Sequence, residues 1–577
     1  WAWFGAGFAE VNRVLSTTPR TPREQARQGL AYKQVLALFL AQRRPSYYLL
    51  SETSALERET DQRCRLLARA GVISPELRDA ALAARLEFHE RPPRRDRPSF
   101  IERKATNAIR SRLLAQLPLR SLYQLDRLDL TVETTLDRPT QERVTRTLGR
   151  LADPAFADSA GLRGDRLLMR GDPANVYYSF TLYESTPEGN LLRAQADNLD
   201  QPLDINTGAK LDLGSTAKLR TLVHYLEVVS DLHAGHAGMR RTELVERANE
   251  AKDPIRRWAF GWMAASADTS LRAMCEAALQ RKYSASPGER FFTGGGLHTF
   301  ANFQKEDNGR VMPVAQAFRQ SVNLVFIRMM RDLVRYESAL LPIMESGDLQ
   351  EPGSPARQQY LERFADEEGR VFLSRFWKRY AKQAPEKRLS LLAASTRPTP
   401  RRLAVMYRTA RPEASPEELH GFLVRNLNGV EVSAADAASL HERYGPEAFS
   451  LADRGYLANV HPLELWLVAY LEAHPGATWK ETVEASAEER QEVYQWLFRD
   501  SKKRAQDSRI RTLVEEDAFG LIHQAWRRLG YPFGSLVPSY ATAIGSSADR
   551  PAALAELMGI LINDGVRYPL QKLERLQ

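Results

Sequence analysis

Cysteine is nearly missing: Cys64 and Cys275 are the only two in 577 residues. They stand far apart, with no zinc-ligand spacing and no disulfide framework, and both read as small buried hydrophobes. Long apolar runs are missing too. The best stretch, residues 35–41, ends in Gln42, Arg43 and Arg44. It is far short of the ~18 residues a bilayer span needs and reads as a buried helix. Lysine is scarce, 14 of 81 basic residues, and the rest are arginine, a bias that points to a GC-rich coding genome. The sequence begins at Trp1 with no initiator methionine, charged leader or cleavage site. Its aromatic opening, Trp1 to Gly5, looks like the inside of a fold, so a fragment lacking its N-terminal part is expected.

What is present describes a globular chain. Hydrophobic residues make up 43% and charged residues 27%, as in soluble folded proteins. The length suggests about three or four domains of ~150 residues. Net charge is +9 and the pI near 9.4, but the cations are interleaved with 72 acidic residues. No arginine–aromatic platform stands out, so no nucleic-acid partner is expected. An anionic surface such as a membrane face or a cell-wall polymer fits the charge equally well.

Residues 1–90 read as helices. Apolar residues Leu30, Val35, Leu36 and Leu38 fall at helical spacing, a second charged run covers residues 55–70, and Ser74-Pro75 supplies an N-cap and first-turn proline. Arg91 to Pro98 is a Pro/Arg linker. From Leu128 to Leu136 apolar and polar residues alternate as in a half-buried strand, Asp137 then opens a helix through Leu151, and Val176 to Tyr183 is another strand. Residues 216–340 read as mainly helical, broken at Pro287-Gly288 and Gly294 to Gly296. Residues 350–530 are long, charged and helix-rich, and carry no chemical motif. Strands mixed with covering helices predict an α+β fold.

The sharpest chemical pattern is Leu213-Gly214-Ser215-Thr216-Ala217-Lys218. Apolar residues Leu219, Leu222, Val223, Leu226 and Val229 follow at helical spacing. Gly214 allows a sharp entry to that helix and puts Ser215 near its positive end. Lys218, three residues on, shares its face. If burial lowers the lysine pKa, a neutral amine can take the serine proton. With 14 lysines, about one Ser-x-x-Lys is expected by chance, so the motif alone is weak. A second piece, Ser321-Val322-Asn323, is the only Ser-x-Asn in the chain. Ser-x-x-Lys followed by Ser-x-Asn is the order found in penicillin-binding proteins and serine β-lactamases.

The surrounding segments carry a resemblance. Gln201 to Lys218, the strand and helix Val132 to Asp137 with Gln141, Ser286-Pro-Gly-Glu289, Phe300-Ala-Asn302, Gly309 to Asn323, and Ala543 to Met558 with Asn563-Asp-Gly565 resemble the transpeptidase domain of class A (bifunctional) penicillin-binding proteins. Trp3-Phe4-Gly5, residues 29–41, Arg44-Pro-Ser46 and residues 66–74 look like the distal lobe of a family 51 glycosyltransferase domain. Together these cover roughly residues 1–90, 128–230, 284–335 and 538–568.

The resemblance implies a layout: a helical glycosyltransferase remnant over 1–90 and a linker over 91–127. A transpeptidase domain would follow over 128–345, with a helical insertion over 346–535, and resume over 536–577. The fold implied is α+β, a penicillin-binding-protein/β-lactamase-like sheet flanked by helices. Ser215 would attack the carbonyl between the last two D-alanines of a peptidoglycan stem peptide, with Lys218 as base. Ser321 would relay a proton to the leaving amine, and Asn323 would hold the substrate amide and position Lys218. No metal or organic cofactor is implied. The implied partners are stem peptides, lipid-linked glycan, β-lactams, and the bacterial inner membrane on its periplasmic face, through an anchor upstream of Trp1. The family's glycosyltransferase carboxylates also lie upstream, so Glu10 receives no catalytic role.

One departure matters. No Lys-Thr-Gly or Lys-Ser-Gly occurs, and the strand that carries it in the family would lie beyond Gln577. Losing one oxyanion donor costs on the order of 3 kcal/mol, ~100-fold in rate. A catalytically silent scaffold or sensor in wall synthesis therefore stays open. So does an unrelated basic helical binding protein in which Ser215 is a plain N-cap and Lys218 a solvated residue.

Overall fold

The computed structural model describes residues 3–89, 99–128, 130–164, 168, 171–293, 296–345, 347, 349, 351–427 and 429–576. The Pro/Arg linker at 91–98 and the Gly294-Gly295 break lie outside them. Two compact units emerge, Trp1–Pro98 and Ser99–Gln577.

The first unit is helical: Phe8–Ser16, Pro22–Ala41, Thr53–Arg69 and Pro75–Ala83, with a π-turn at Tyr47–Ser51. Local chemistry sets the helix starts. Thr21 and Glu24 form a reciprocal capping box, and Ser74 accepts from the Leu77 amide with Pro75 in the first turn. Ala37, Ala41, Leu49, Leu56 and Leu86 form the core. Gly29 is needed for packing, since a Cβ there would meet the Ala80 backbone at 2.5 Å. Lys33 is buried, with its ammonium 3.1 Å from Glu57 and 2.8 Å from Asp61.

The second unit is α+β, with helices far outnumbering short strands. The hairpin Ser179–Thr186/Gly189–Asp197 is antiparallel and takes Leu570–Gln571 alongside its second strand in parallel. Val132–Thr134 pairs antiparallel with Leu573–Leu576. The alternation from 128 to 136 thus overstates the strand: among the described residues it runs Val132–Thr134, with one further backbone hydrogen bond from Thr135 to Lys572. The second expected strand is shifted, running Ser179–Thr186 where 176–183 was anticipated, because Tyr178 is held at the hairpin's edge by the Asn198 side chain. Asp137 caps Arg138–Arg150 as expected. Gln141 ties that helix to the sheet, exchanging side-chain hydrogen bonds with the Gln195 backbone at 2.8 and 3.0 Å.

Residues 216–340 contain strands that helical periodicity hid. Lys282–Ser284 pairs with Val311–Pro313, and Phe291–Thr293 pairs with Gly296–His298. The stretch expected to be a linker carries the helix Phe100–Gln116, whose Lys104 reaches the buried Asp197 at 3.0 Å.

The largest core joins the helices Ala217–His236, Pro254–Ala265, Leu271–Gln280 and Asn323–Leu340. A second core gathers residues 365–494 around the helices Pro355–Tyr380, Pro400–Ala410 and Pro462–Ala473. The long helix Lys503–Arg528 bridges them. Ile510 and Val514 pack beside Leu361 and Leu497, whereas Ala518, Phe519, Ile522 and Trp526 enter the largest core. Sequence placed this whole helix in the insertion; its second half packs with the motif-bearing helices.

Among the described residues, no helix is long and apolar enough to cross a membrane.

Candidate active site

Ser215 lies in a single 3-10 turn, Gly214–Thr216, that leads directly into the helix Ala217–His236. The turn starts at Gly214 in the left-handed region, φ +55°. Its position is fixed from outside by Gly545, also left-handed at φ +112°, where a Cβ would meet the Gly214 backbone at 2.6 Å. Leu211 and Asp549 exchange backbone hydrogen bonds at 3.2 and 2.8 Å beside this contact. Arg220, five residues beyond Ser215, is fully buried and donates to the Asp549 carboxylate at 2.5 and 3.3 Å, to the Leu529 carbonyl and to the Ala553 carbonyl. The Ser215 helix is thereby clamped to segment 543–553.

The second motif is shaped by backbone strain. Ser321 sits at φ +57°, a region costly for a residue with a Cβ. It turns the chain between Val314–Arg319 and Asn323–Leu340, closing the first helix with amide bonds from Ser321 to Phe318 and from Val322 to Ala317. The turn directs both the carbonyl and the hydroxyl of Ser321 at one amine.

That amine is Lys218. Its Nζ lies 2.9 Å from Ser215 Oγ, 2.9 Å from Ser321 Oγ, 2.7 Å from the Ser321 carbonyl and 2.7 Å from Asn323 Oδ1. Lys218 is 1% exposed, while Ser215 is exposed. Burial pulls the ammonium down from 10.5 to about 8, because removing water disfavours the charged form. An ammonium has three protons for four oxygens. Once deprotonated, above about pH 8, the amine can donate to Asn323 Oδ1 and the Ser321 carbonyl and keep its lone pair for a hydroxyl proton.

The four residues singled out from sequence, Ser215, Lys218, Ser321 and Asn323, are thus brought together by two different helices. Two more were missed as individuals. Asn323 Nδ2 donates to the Ala301 carbonyl at 3.0 Å, and Asn302 Oδ1 accepts from the Leu324 amide at 3.0 Å while its Nδ2 holds the Ala285 carbonyl at 2.8 Å. Ala301 and Asn302 fix the start of the second-motif helix. Their signal was the Phe300-Ala-Asn302 segment, legible only as part of a pattern.

The histidines are explained locally: His233 Nε2 contacts the Thr269 carbonyl, His236 Nδ1 the Leu232 carbonyl, and His298 stacks on Phe300. Among the described residues, no group of three His, Cys, Asp or Glu side chains is placed to hold a metal ion. Glu10 pairs with Arg27 on the surface.

An exposed hydroxyl beside a buried amine of lowered pKa, ahead of a helix N-terminus, is an arrangement for nucleophilic attack on a carbonyl. No protein-family model matches this chain, and no curated protein matches it.

Proposed function

We propose that the second unit is a serine acyl-transferase of the penicillin-binding-protein kind, a D,D-transpeptidase that cross-links peptidoglycan stem peptides in a transpeptidase-like fold. The observation that carries this reading is Lys218 Nζ at 2.7–2.9 Å from Ser215 Oγ, Ser321 Oγ and Asn323 Oδ1 at once.

In this reading Ser215 Oγ forms a bond to the carbonyl carbon of the penultimate D-alanine and passes its proton to neutral Lys218. The C–N bond then breaks, and the proton moves through Ser321 Oγ to the departing D-alanine nitrogen. The amine of a neighbouring peptide attacks the acyl-enzyme and gives its proton to Lys218; the ester C–O bond breaks and Lys218 returns that proton to Ser215 Oγ. Asn323 holds Lys218 and offers its amide to the substrate. The first unit would be the distal lobe of a glycosyltransferase domain, and the parent protein would polymerise glycan strands at the periplasmic face of a bacterial inner membrane.

A fluorescent penicillin tests this. The expected result is a stable adduct at Ser215 by peptide mass mapping, abolished in Ser215→Ala. Absence of any adduct in a folded chain supports the second reading, a catalytically silent scaffold in wall synthesis.

A further inference from the structure

Away from Ser215, a solvent-open cavity of about 1010 Å³ lies between the C-terminal end of the nucleophile helix, the second-motif helix and the helix Lys503–Arg528. This volume is that of a small-molecule site. Its lining carries seven cations, Arg247, Lys252, Arg256, Arg290, Arg331, Arg335 and Arg511, against five carboxylates.

Three of the five carboxylates are engaged already, whereas Asp231 and Glu250 form no ion pair among the described residues. Glu289 is shared by Arg328 and Arg331. Asp253 accepts the Ile255 and Arg256 amides as a helix cap. Glu515 accepts from the Tyr540 hydroxyl at 3.2 Å, and burial raises its pKa. Arg335 and Arg511 stand exposed close to Glu515, and neither forms an ion pair among the described residues. Arg290, Arg247 and Lys252 likewise form none.

Arg331 also lines this cavity, its guanidinium paired with Glu289. The same wall presents Phe291, with the Arg331 guanidinium 5.5 Å from its ring centre. A guanidinium fork matches planar or tetrahedral oxyanions, and an aromatic wall accepts a carbon skeleton.

We infer that this cavity binds a small organic polyanion, bearing at least two phosphate or carboxylate groups, through Arg335, Arg511 and Arg331. The site stands apart from Ser215 and does not depend on the transpeptidase reading. A bound ligand would touch both motif-bearing helices and the helix that runs on into the insertion.

Calorimetric titration of the full chain with inorganic pyrophosphate and with citrate, at 50 and 500 mM NaCl, tests the inference. At least one probe should saturate one site per chain at low salt, and which one it is distinguishes phosphate from carboxylate. Arg335→Ser/Arg511→Ser should weaken binding at least tenfold, whereas Arg375→Ser/Lys378→Ser, on the remote helix Pro355–Tyr380, should leave it unchanged. If the first pair fails to fold by circular dichroism, Arg290→Ser/Lys252→Ser replaces it, with at least a threefold loss expected. No saturable binding by either probe, or equal affinity in the cavity variant and wild type, overturns the proposal.

Discussion

The backbones of Gly214 and Gly545 touch: a Cβ on Gly545 would lie 2.6 Å from Gly214 Cα. Two segments more than three hundred residues apart thus meet directly behind Ser215, and neither can gain a side chain without cost. The costs differ. Gly545→Ala adds a hard overlap to a left-handed φ, whereas a Cβ on Gly214 meets nothing within 4 Å. Gly214→Ala should cost about 1 kcal/mol from its backbone region alone. Gly545→Ala should cost at least ~2 kcal/mol and displace Ser215, slowing penicillin labelling more than tenfold. Thermal unfolding and labelling rates, measured on both variants, check the order.

Acylation should follow the deprotonation of Lys218. Its pKa near 8 predicts a labelling rate that climbs between pH 7 and 9 with a midpoint about 8. Lys218→Ala should lower the rate by ~10²–10⁴.

The same shift has a sign for stability. A lysine at about 8 when folded and 10.5 when unfolded binds fewer protons in the native state between those values. Stability should therefore rise with pH across that window, by about 3 kcal/mol in all. Lys218→Met removes the slope. Denaturant unfolding at pH 7.5 and 10 in both proteins is the measurement.

His224, buried on the nucleophile helix, should act in the opposite direction. Burial pushes its pKa down, but Glu337 at 3.2 Å and Glu227 at 3.7 Å outweigh this and leave it raised. A raised histidine stabilises fully below its unfolded pKa, near 6.5, and that contribution is lost as pH climbs through the folded value. His224→Gln should flatten the decline in melting temperature that sets in as pH rises above 6.5.

Arg220 and Asp549 form a buried pair linking the nucleophile helix to segment 543–553. Removing one partner leaves a buried charge, so Arg220→Ala should destabilise by about 3–5 kcal/mol, whereas Arg220→Met/Asp549→Leu should cost much less. Chemical denaturation of the two variants separates the outcomes.

Ser215 and Lys218 were legible because they are one helical turn apart, and a spacing of three fixes a shared face before any tertiary contact exists. Ser321 and Asn323 were legible as a type of motif. That their helix would deliver them to Lys218 was not, since it rests on the left-handed turn at Ser321 and on Asn302 holding the Leu324 amide. The α+β class was visible in the change from helical to alternating patterning near residue 128. Lengths were not: Val132–Thr134 pairs over three residues, because its partner Leu573–Leu576 lies over four hundred residues away and local alternation carries no record of it. The short strand at 282–284 stayed hidden inside a helical stretch for the same reason. Gly545 was legible only as part of the segment from Ala543 to Met558; that its backbone would press on Gly214 was not.

The helix Lys503–Arg528 is anchored at both ends, Ile510 among the side chains of the helical insertion and Trp526 beneath the motif helices. Such a rod turns two bodies into one lever. Cutting out 346–535 as a block would strip Phe519, Ile522 and Trp526 from the core that holds the two motif-bearing helices. A shortened protein that keeps the rod and joins 354 to 499 would leave that support in place.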